Sequence, residues 1–326
     1  MSSLRIRIVS TTPAHSRKGN RVTALRWARL LRDLGHRVMV EEEYRGGACD
    51  LLIALHARRS FPSVKRFRNE HPNTPIVLAL TGTDLYRDIA VDSSAQRALE
   101  WAWRLVTLQP LGIAQLPKKF RAKARSIVQS TRPPARKPRP RPGVFEVCVL
   151  AHLRAVKDPF RTAEAARLLP SESRVRVLQV GGALSKPMAA RARREERING
   201  RYRWLGELPR AKALAVLARC RLLSLTSWME GGANAVTEAL ACGVPIVASR
   251  IPGSVGLLGA DYPGYFEPGN TAQLARLLWR AESDPVFISA LRRRSARLRS
   301  LVAPARERRC WKQLLSELSV SSRQAA

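Results

Sequence analysis

The sequence predicts an α/β protein built from two doubly wound domains. Short apolar runs typical of buried strands alternate with amphipathic helical stretches, and one stretch rich in proline and arginine interrupts the alternation. Such alternation predicts parallel sheets with helices on both faces. We place an N-terminal domain at 1–130, a linker at 131–143, a C-terminal domain at 144–303, and a helix with a tail at 304–326.

The first domain begins with a strand in which arginine alternates with aliphatic residues. A helix follows with Leu25, Ala28, Leu31 and Leu34 on one face, and we expect Gly35 to end it. The predicted strands are Leu4–Val9, Arg37–Val40, Asp50–Leu55, Ile76–Leu80 and Leu105–Leu108, and the predicted helices are Arg21–Gly35, Phe61–Arg68 and Ser94–Arg104.

The second domain repeats this order after the linker, where prolines and basic residues favour an extended, solvated chain. The predicted strands are Phe145–Leu150, Arg176–Val180, Leu222–Leu225 and Pro245–Ala248. The predicted helices are Phe160–Leu169, Met188–Ile198 and Ala211–Ala218. Two or three more helices are predicted from Thr271 onward, the last of them around Glu307–Leu318. Two such domains predict a ligand cleft between the carboxyl ends of their sheets.

Composition indicates a globular protein. Hydrophobic residues make up 45% of the 326 positions, and no apolar stretch approaches the roughly 20 residues that cross a bilayer. Five widely spaced cysteines, without metal-type pairing, are typical of reduced thiols. The N-terminus enters a strand at once, without a signal-peptide core. We therefore expect a cytoplasmic protein.

The formal net charge of +33 allows three interpretations. Solvated helical faces are one, contact with an anionic membrane surface or acidic partner is the second, and nucleic acid is the third. No RNA- or DNA-binding signature is present, and no basic run carries interleaved aromatics. We expect no specific nucleic-acid partner, whereas weak contact with a membrane surface stays open.

The stretch Glu230–Leu240 is the strongest functional signal. It follows the apolar run Leu222–Leu225, and its glycines open a helix whose free N–H groups attract anions. Glu230 lies in the loop, and Glu238, after seven intervening residues, lies inside the helix. A phosphate-binding helix start between two carboxylates suits a sugar nucleotide, although the same pattern fits an ordinary helix start with a surface Glu. Predicted nucleotide contacts are Gly231, Gly232, Ala233, Asn234 and Glu238.

Other loops of the second domain follow its first two strands. Arg154 and Lys157 are two cations that can neutralise a diphosphate leaving group, and Asp158 is a candidate N-cap. The alternative is a solvated loop with a capping Asp. Gly181 and Gly182 follow the next strand and can approach a ribose or base, although glycines are common there.

Three loops of the first domain are expected at one edge of its sheet. They follow the first, third and fourth strands and carry cations, hydroxyls, one histidine and one carboxylate. A histidine after a strand is often structural, but three polar loops at equivalent positions favour a small anionic acceptor. The candidate residues are Arg17, Lys18, Gly19 and Asn20, then His56, Arg58 and Arg59, then Thr81, Gly82, Thr83 and Asp84.

The second half resembles the retaining glycosyltransferases of the GT-B fold, which carry Glu, seven residues and Glu in a glycine-containing loop. The downstream Ala-Cys-Gly-Val-Pro-Ile-Val-Ala-Ser also fits that family. The resemblance implies that Glu230 approaches the transferred sugar and Glu238 holds the ribose. It also implies that Arg154 and Lys157 grip the diphosphate, although their Arg-x-x-Lys spacing is shorter than usual.

The first half narrows the resemblance to the selenosugar synthases of selenoneine biosynthesis. The motifs are Asn20-Arg21-Val22-Thr23-Ala24-Leu25-Arg26-Trp27, Ala54-Leu55-His56-Ala57-Arg58-Arg59-Ser60 and Leu80-Thr81-Gly82-Thr83-Asp84-Leu85-Tyr86-Arg87-Asp88, with His152-Leu153-Arg154 and Val156-Lys157-Asp158-Pro159. The resemblance implies transfer of a hexosamine or hexose from a UDP-sugar such as UDP-GlcNAc to selenophosphate. His56 and Asp84 would orient acceptor or sugar, and we expect neither cofactor nor metal.

Two other hypotheses remain open at this point. One is a conventional UDP-sugar glycosyltransferase acting on a lipid or glycan acceptor at a membrane surface, held there by the basic charge. The other is a binding protein that retains the fold without catalysis.

Overall fold

The computed structural model describes residues 3–13, 19–136 and 138–324, with side chains described as far as Leu318. The chain divides into two compact units. The first comprises Met1–Gln129 with Pro304–Ala326, and the second comprises Ser130–Ala303. The proline-rich stretch 131–143 therefore falls within the second unit, where the Thr131 amide donates to the Val302 carbonyl at 3.1 Å.

The first unit contains a six-stranded parallel sheet of order β2-β1-β3-β4-β5-β6 in the described part of the chain. Its strands are β1 (Arg5–Ser10), β2 (Arg37–Glu41), β3 (Leu51–Leu55), β4 (Ile76–Leu80), β5 (Arg104–Thr107) and β6 (Ala124–Ser126). Its helices before the chain enters the second unit are α1 (Gly19–Asp33), α2 (Phe61–Glu70), α3 (Ile89–Val91) and α4 (Ser93–Trp101).

The two central strands explain why this sheet is buried on both faces. Every residue of β3 and β4 is buried, because their sequences Leu-Leu-Ile-Ala-Leu and Ile-Val-Leu-Ala-Leu are apolar throughout. Continuous apolar runs are typical of parallel strands covered by helices on either side. One face packs Trp27 and Leu31 of α1, and the other packs Phe67 of α2 and Leu99 of α4.

The second unit contains a parallel sheet of order β12-β11-β10-β7-β8-β9. Its strands are β7 (Phe145–Leu150), β8 (Val175–Val180), β9 (Tyr202–Trp204), β10 (Leu222–Leu225), β11 (Ile246–Ser249) and β12 (Tyr265–Phe266). Its helices are α5 (Arg161–Arg167), α6 (Lys186–Ile198), α7 (Arg210–Arg219), α8 (Asn234–Cys242), α9 (Pro252–Leu258), α10 (Thr271–Ser283) and α11 (Pro285–Leu298). The strand order reverses between β7 and β10, and ligands bind at such reversals in open α/β sheets.

The last helix, α12 (Pro304–Gln324), belongs to the first unit. Trp311 packs edge-on against Trp27 of α1, with ring centroids 4.9 Å apart, and both side chains are fully buried. The indole N–H of Trp27 donates to Glu307 Oε1 at 2.7 Å. Residues far apart in sequence thus complete one core.

The prediction of two doubly wound α/β domains is confirmed. The short strands β6, β9 and β12 were not predicted; they have two or three residues each and include an edge strand of each sheet. The helices α3 and α9 were not predicted either. No helix in the described ranges is long and apolar enough to span a membrane.

Candidate functional site

The loops after β7 and β10 meet where the strand order of the second sheet reverses. The Thr226 hydroxyl donates to the carbonyls of Lys157 and Asp158 at 3.0 and 2.9 Å. The Trp228 amide donates to the Val156 carbonyl at 2.9 Å. These contacts fix the two loops to each other, so that charged side chains on both are held at the carboxyl edge of the sheet, where open α/β sheets bind ligands.

Glu230 is the centre of this arrangement. Its Oε1 lies 2.5 Å from Lys157 Nζ and accepts a hydrogen bond from the Ser227 hydroxyl at 2.7 Å. The carboxylate is only 10% exposed, and the lysine side chain 23%. The structure therefore brings together Glu230 and Lys157, two residues predicted separately from motifs more than 70 positions apart.

Glu238 lies on α8, where its side chain is 9% exposed. Its Oε1 is 2.7 Å from Nη1 of Arg210, at the start of α7. Loop 231–233 precedes α8, and Ala233 at the helix start supplies no side-chain cap. The Asn234 Oδ1 is buried without a hydrogen-bond partner among the described residues. Helix N–H groups lacking a cap attract anions.

Gly181 and Gly182 connect the loops after β7, β8 and β9. A side chain at Gly181 would overlap the Ala151 carbonyl, so only glycine fits this close backbone approach. The Gly181 amide donates to the Gly206 carbonyl at 2.8 Å, and the Gly182 amide donates to His152 Nδ1 at 3.1 Å. Both glycines have a structural role, and their predicted nucleotide contact stays a prediction.

Arg154 directly precedes a 3-10 turn at Ala155–Lys157, Lys157 is the last residue of that turn, and α5 starts only at Arg161. Arg154 is half-buried and forms no ion pair within the described ranges. The expectation that Asp158 caps the helix is wrong. Asp158 has a left-handed backbone with φ of 42°, and its carboxylate instead accepts from Arg161 Nε at 2.7 Å.

In the first unit, Asp84 joins two of the three predicted loops. Its carboxylate accepts from the amides of Ala57, Thr81 and Gly82 at 3.0, 2.9 and 2.8 Å, and the side chain is completely buried. Asp84 therefore fixes the loop after β3 to the loop after β4. Its predicted contact with acceptor or sugar stays a prediction.

His56 lies beside this carboxylate in a left-handed conformation with φ of 79°, which is uncommon outside glycine. Burial lowers the pKa of the imidazole, and the negative charge of Asp84 opposes this effect. His56 Nε2 is 3.0 Å from the Thr83 hydroxyl, and the Arg59 amide donates to Nδ1 at 3.4 Å. A neutral ring that accepts at Nδ1 carries its proton on Nε2.

The basic residues in the loops at the carboxyl edge of the first sheet differ in their surroundings. Arg58 Nε is 3.2 Å from the buried Asp88 carboxylate, whereas exposed Arg59 forms no ion pair within the described ranges. Asn20 Nδ2 donates to the Thr81 hydroxyl at 3.2 Å, so the first turn of α1 meets the loop after β4. Gly19 begins α1, and the predicted Arg17 and Lys18 lie outside the described residues.

Four residues of these edges were not predicted as site residues. Ser227 and Arg210 contact the two glutamates, Asp88 pairs with Arg58, and Arg21 has buried Nε and Nη1 atoms without a hydrogen-bond partner in the described part of the chain. A weak signal existed for Arg21, which adjoins the candidate Asn20. No group of three or more His, Cys, Asp or Glu with metal-binding geometry lies within the described ranges.

The fold is shared with solved structures of low sequence identity. Anabaena HepE, solved with UDP and glucose, matches with a TM-score of 0.75 at 15% identity, covering 96% of this chain and 100% of that one. Sucrose-phosphate synthase from Thermosynechococcus elongatus matches at 0.77 and 16%, covering 98% and 100%. The α,α-trehalose 6-phosphate synthase from Burkholderia multivorans matches at 0.69 and 14%, covering 84% and 72%. At these identities the likeness shows the GT-B fold alone.

The family is shown by the sequence itself. The model described as "Glycosyl transferases group 1" matches residues 133–298, just over half of the chain. That range contains β7 to α11 and both glutamates. The chain belongs to the group 1 glycosyltransferases.

Proposed function

We propose that this glycosyltransferase moves a hexosamine or hexose from a UDP-sugar to selenophosphate and forms a carbon–selenium bond. The observation that supports a UDP-sugar as the donor substrate is the 2.5 Å contact between Lys157 and Glu230. A cation suited to the diphosphate and a carboxylate suited to the sugar lie side by side at the reversal point of the second sheet. A diphosphate sugar needs both groups at adjacent positions.

UDP as the nucleotide is supported by the fold and by Glu238. Anabaena HepE, which shares the fold, was solved with UDP-glucose. In this chain, the largely buried Glu238 carboxylate of α8 pairs with Arg210, and it can accept a hydrogen bond from a ribose hydroxyl. Asn234 offers an unpartnered Oδ1 at the same helix start.

Selenophosphate as the acceptor is supported by the first unit and by the ordered motifs that resemble those of selenosugar synthases. The carboxyl edge of the first sheet offers exposed Arg59, half-buried Arg21 and the start of α1. These groups suit a small, highly charged anion. A lipid acceptor would require an apolar groove, and a glycan acceptor would require aromatic platforms.

The proposed reaction balances without a redox partner. The selenium of selenophosphate carries the attacking electron pair and bonds to the anomeric carbon, while the bond from that carbon to the diphosphate oxygen breaks and UDP leaves. Lys157 and Arg154 would neutralise the charge that develops on the leaving oxygen. Water then cleaves the selenium–phosphorus bond and releases phosphate. An anionic selenium needs no strong general base, so positioning and electrostatics supply the catalysis.

The test is incubation of the purified protein with UDP-GlcNAc and selenophosphate, followed by mass analysis of the products. We expect a selenium-containing hexosamine, equimolar UDP, and a large loss of both in Glu230→Ala. Folded protein that binds UDP-GlcNAc but forms no selenium-containing sugar would overturn selenophosphate as the acceptor. Transfer to the oxygen of an added lipid or glycan would identify a conventional glycosyltransferase instead.

A further inference from the structure

Both donors that reach the Glu230 carboxylate bind the same oxygen. Oε1 receives the Ser227 hydroxyl at 2.7 Å and the Lys157 ammonium at 2.5 Å. Oε2 accepts no hydrogen bond from the described residues. The carboxylate is thus held through one oxygen, and the other stays available to a ligand.

We propose that Ser227 is a positioning residue that keeps Glu230 Oε2 directed at the sugar when Lys157 turns to the diphosphate. This inference rests on the proposed function, because it assumes that Lys157 and Glu230 contact different parts of one donor. A lysine can exchange one anion for another, since its ammonium is a mobile point charge on a flexible stem. When it leaves Oε1, the Ser227 hydroxyl is the donor that remains.

The surroundings of Ser227 suit this role. Ser227 is 1% exposed, and Ser249 donates its hydroxyl to the Ser227 carbonyl at 2.6 Å, so a buried strand end fixes the serine backbone. The hydroxyl of Ser227 serves Glu230 three residues further along the same loop. A buried donor held on both sides orients an acceptor with little loss of entropy on ligand binding.

The experiment separates the sugar from the nucleotide. Calorimetry gives the Kd of UDP and of UDP-GlcNAc for each variant, and the ratio of the two reports contacts made by the sugar. We expect Ser227→Ala to lower the relative affinity for UDP-GlcNAc about three- to tenfold and to leave UDP binding within about twofold. Lys157→Met weakens both ligands alike, because it acts on the shared diphosphate.

A double-mutant cycle shows whether Ser227 acts through Glu230. In the Glu230→Ala background, we expect Ser227→Ala to cause no further change in the ratio, whereas independent effects would add. Ser254→Ala is the matched control. The Ser254 hydroxyl is buried without a hydrogen-bond partner in the described ranges, and Ser254 follows Gly253, which contacts Glu230. Removing this hydroxyl should leave both Kd values unchanged.

The outcomes distinguish the inference from the proposed function. Wild-type protein that binds neither UDP nor UDP-GlcNAc would overturn the proposed donor and this inference with it. Normal wild-type binding with an unaltered ratio in Ser227→Ala would overturn the inference alone. A ratio that changes in Lys157→Met as much as in Ser227→Ala would show that Lys157 stays on Glu230 in the donor complex, against the proposed exchange.

Discussion

Arg210 Nη1 lies 2.7 Å from Glu238 Oε1 and joins the start of α7 to the buried face of α8. The arginine side chain is 42% exposed, whereas the glutamate side chain is 9% exposed. A largely buried carboxylate keeps its charge only with a partner. The contact therefore holds the Glu238 side chain against the start of α7.

Replacing Arg210 by methionine should weaken UDP binding about three- to tenfold, because Glu238 loses the charged partner that orients it. Titration of UDP by calorimetry measures the change. Lys212→Met is the matched control, since Lys212 is an exposed cation on the same helix. Equal effects of the two substitutions would indicate a general loss of positive charge rather than a role for Arg210.

Gly253, at the start of α9, limits how Glu230 is placed. A Cβ at Gly253 would overlap the Glu230 carbonyl oxygen and lie 2.8 Å from the Glu230 Cβ. We expect Gly253→Ala to lower stability by about 1–3 kcal/mol through overpacking and to reduce turnover by displacing the carboxylate. Thermal unfolding and product formation measure the two effects. Gly200→Ala, where an added Cβ meets nothing within 4 Å, should change neither.

The sequence predicted the fold well because the central strands carry their own signal. The runs at β3 and β4 are apolar and bounded by polar loops, and the pattern from Glu230 to Glu238 is local. The two-residue β12 has no such signal, because pairing with β11 defines it.

Roles that depend on contacts distant in sequence could not be predicted. Asp84 is a polar loop residue in the sequence, yet its carboxylate is occupied by the amide of Ala57, 27 positions away. Arg210 meets Glu238 across 28 positions. The left-handed backbone of Asp158 was likewise not predicted, although aspartate adopts that conformation more readily than most residues other than glycine. Such features follow from tertiary packing.

Arg21 gives a prediction about the acceptor. Its Nε and Nη1 are buried without a hydrogen-bond partner in the described part of the chain, which is costly for a cation. We expect Arg21→Met to raise the thermal midpoint and to raise the KM for selenophosphate about tenfold, with UDP affinity unchanged. Arg29→Met, on an exposed position of α1, should change neither quantity. A lower midpoint with an unchanged KM would assign Arg21 to the core instead.

His56 gives a prediction about pH, because burial lowers the pKa of its imidazole. Between the lowered pKa and the ordinary histidine pKa, the unfolded chain binds a proton at His56 that the folded chain does not bind. The contribution of His56 to stability is therefore present above the ordinary histidine pKa and is lost on acidification. The loss is at most about 1.4 kcal/mol per pH unit.

Asparagine is the replacement for His56 because it tolerates the φ of 79°. Thermal midpoints at pH 7.5 and 5 should therefore fall less on acidification in His56→Asn than in the wild type. Thr83→Val removes the partner of Nε2 but keeps the ring, so its midpoint should be lower at both pH values with a trend of the same sign. An identical pH trend in His56→Asn and the wild type would contradict a buried neutral histidine.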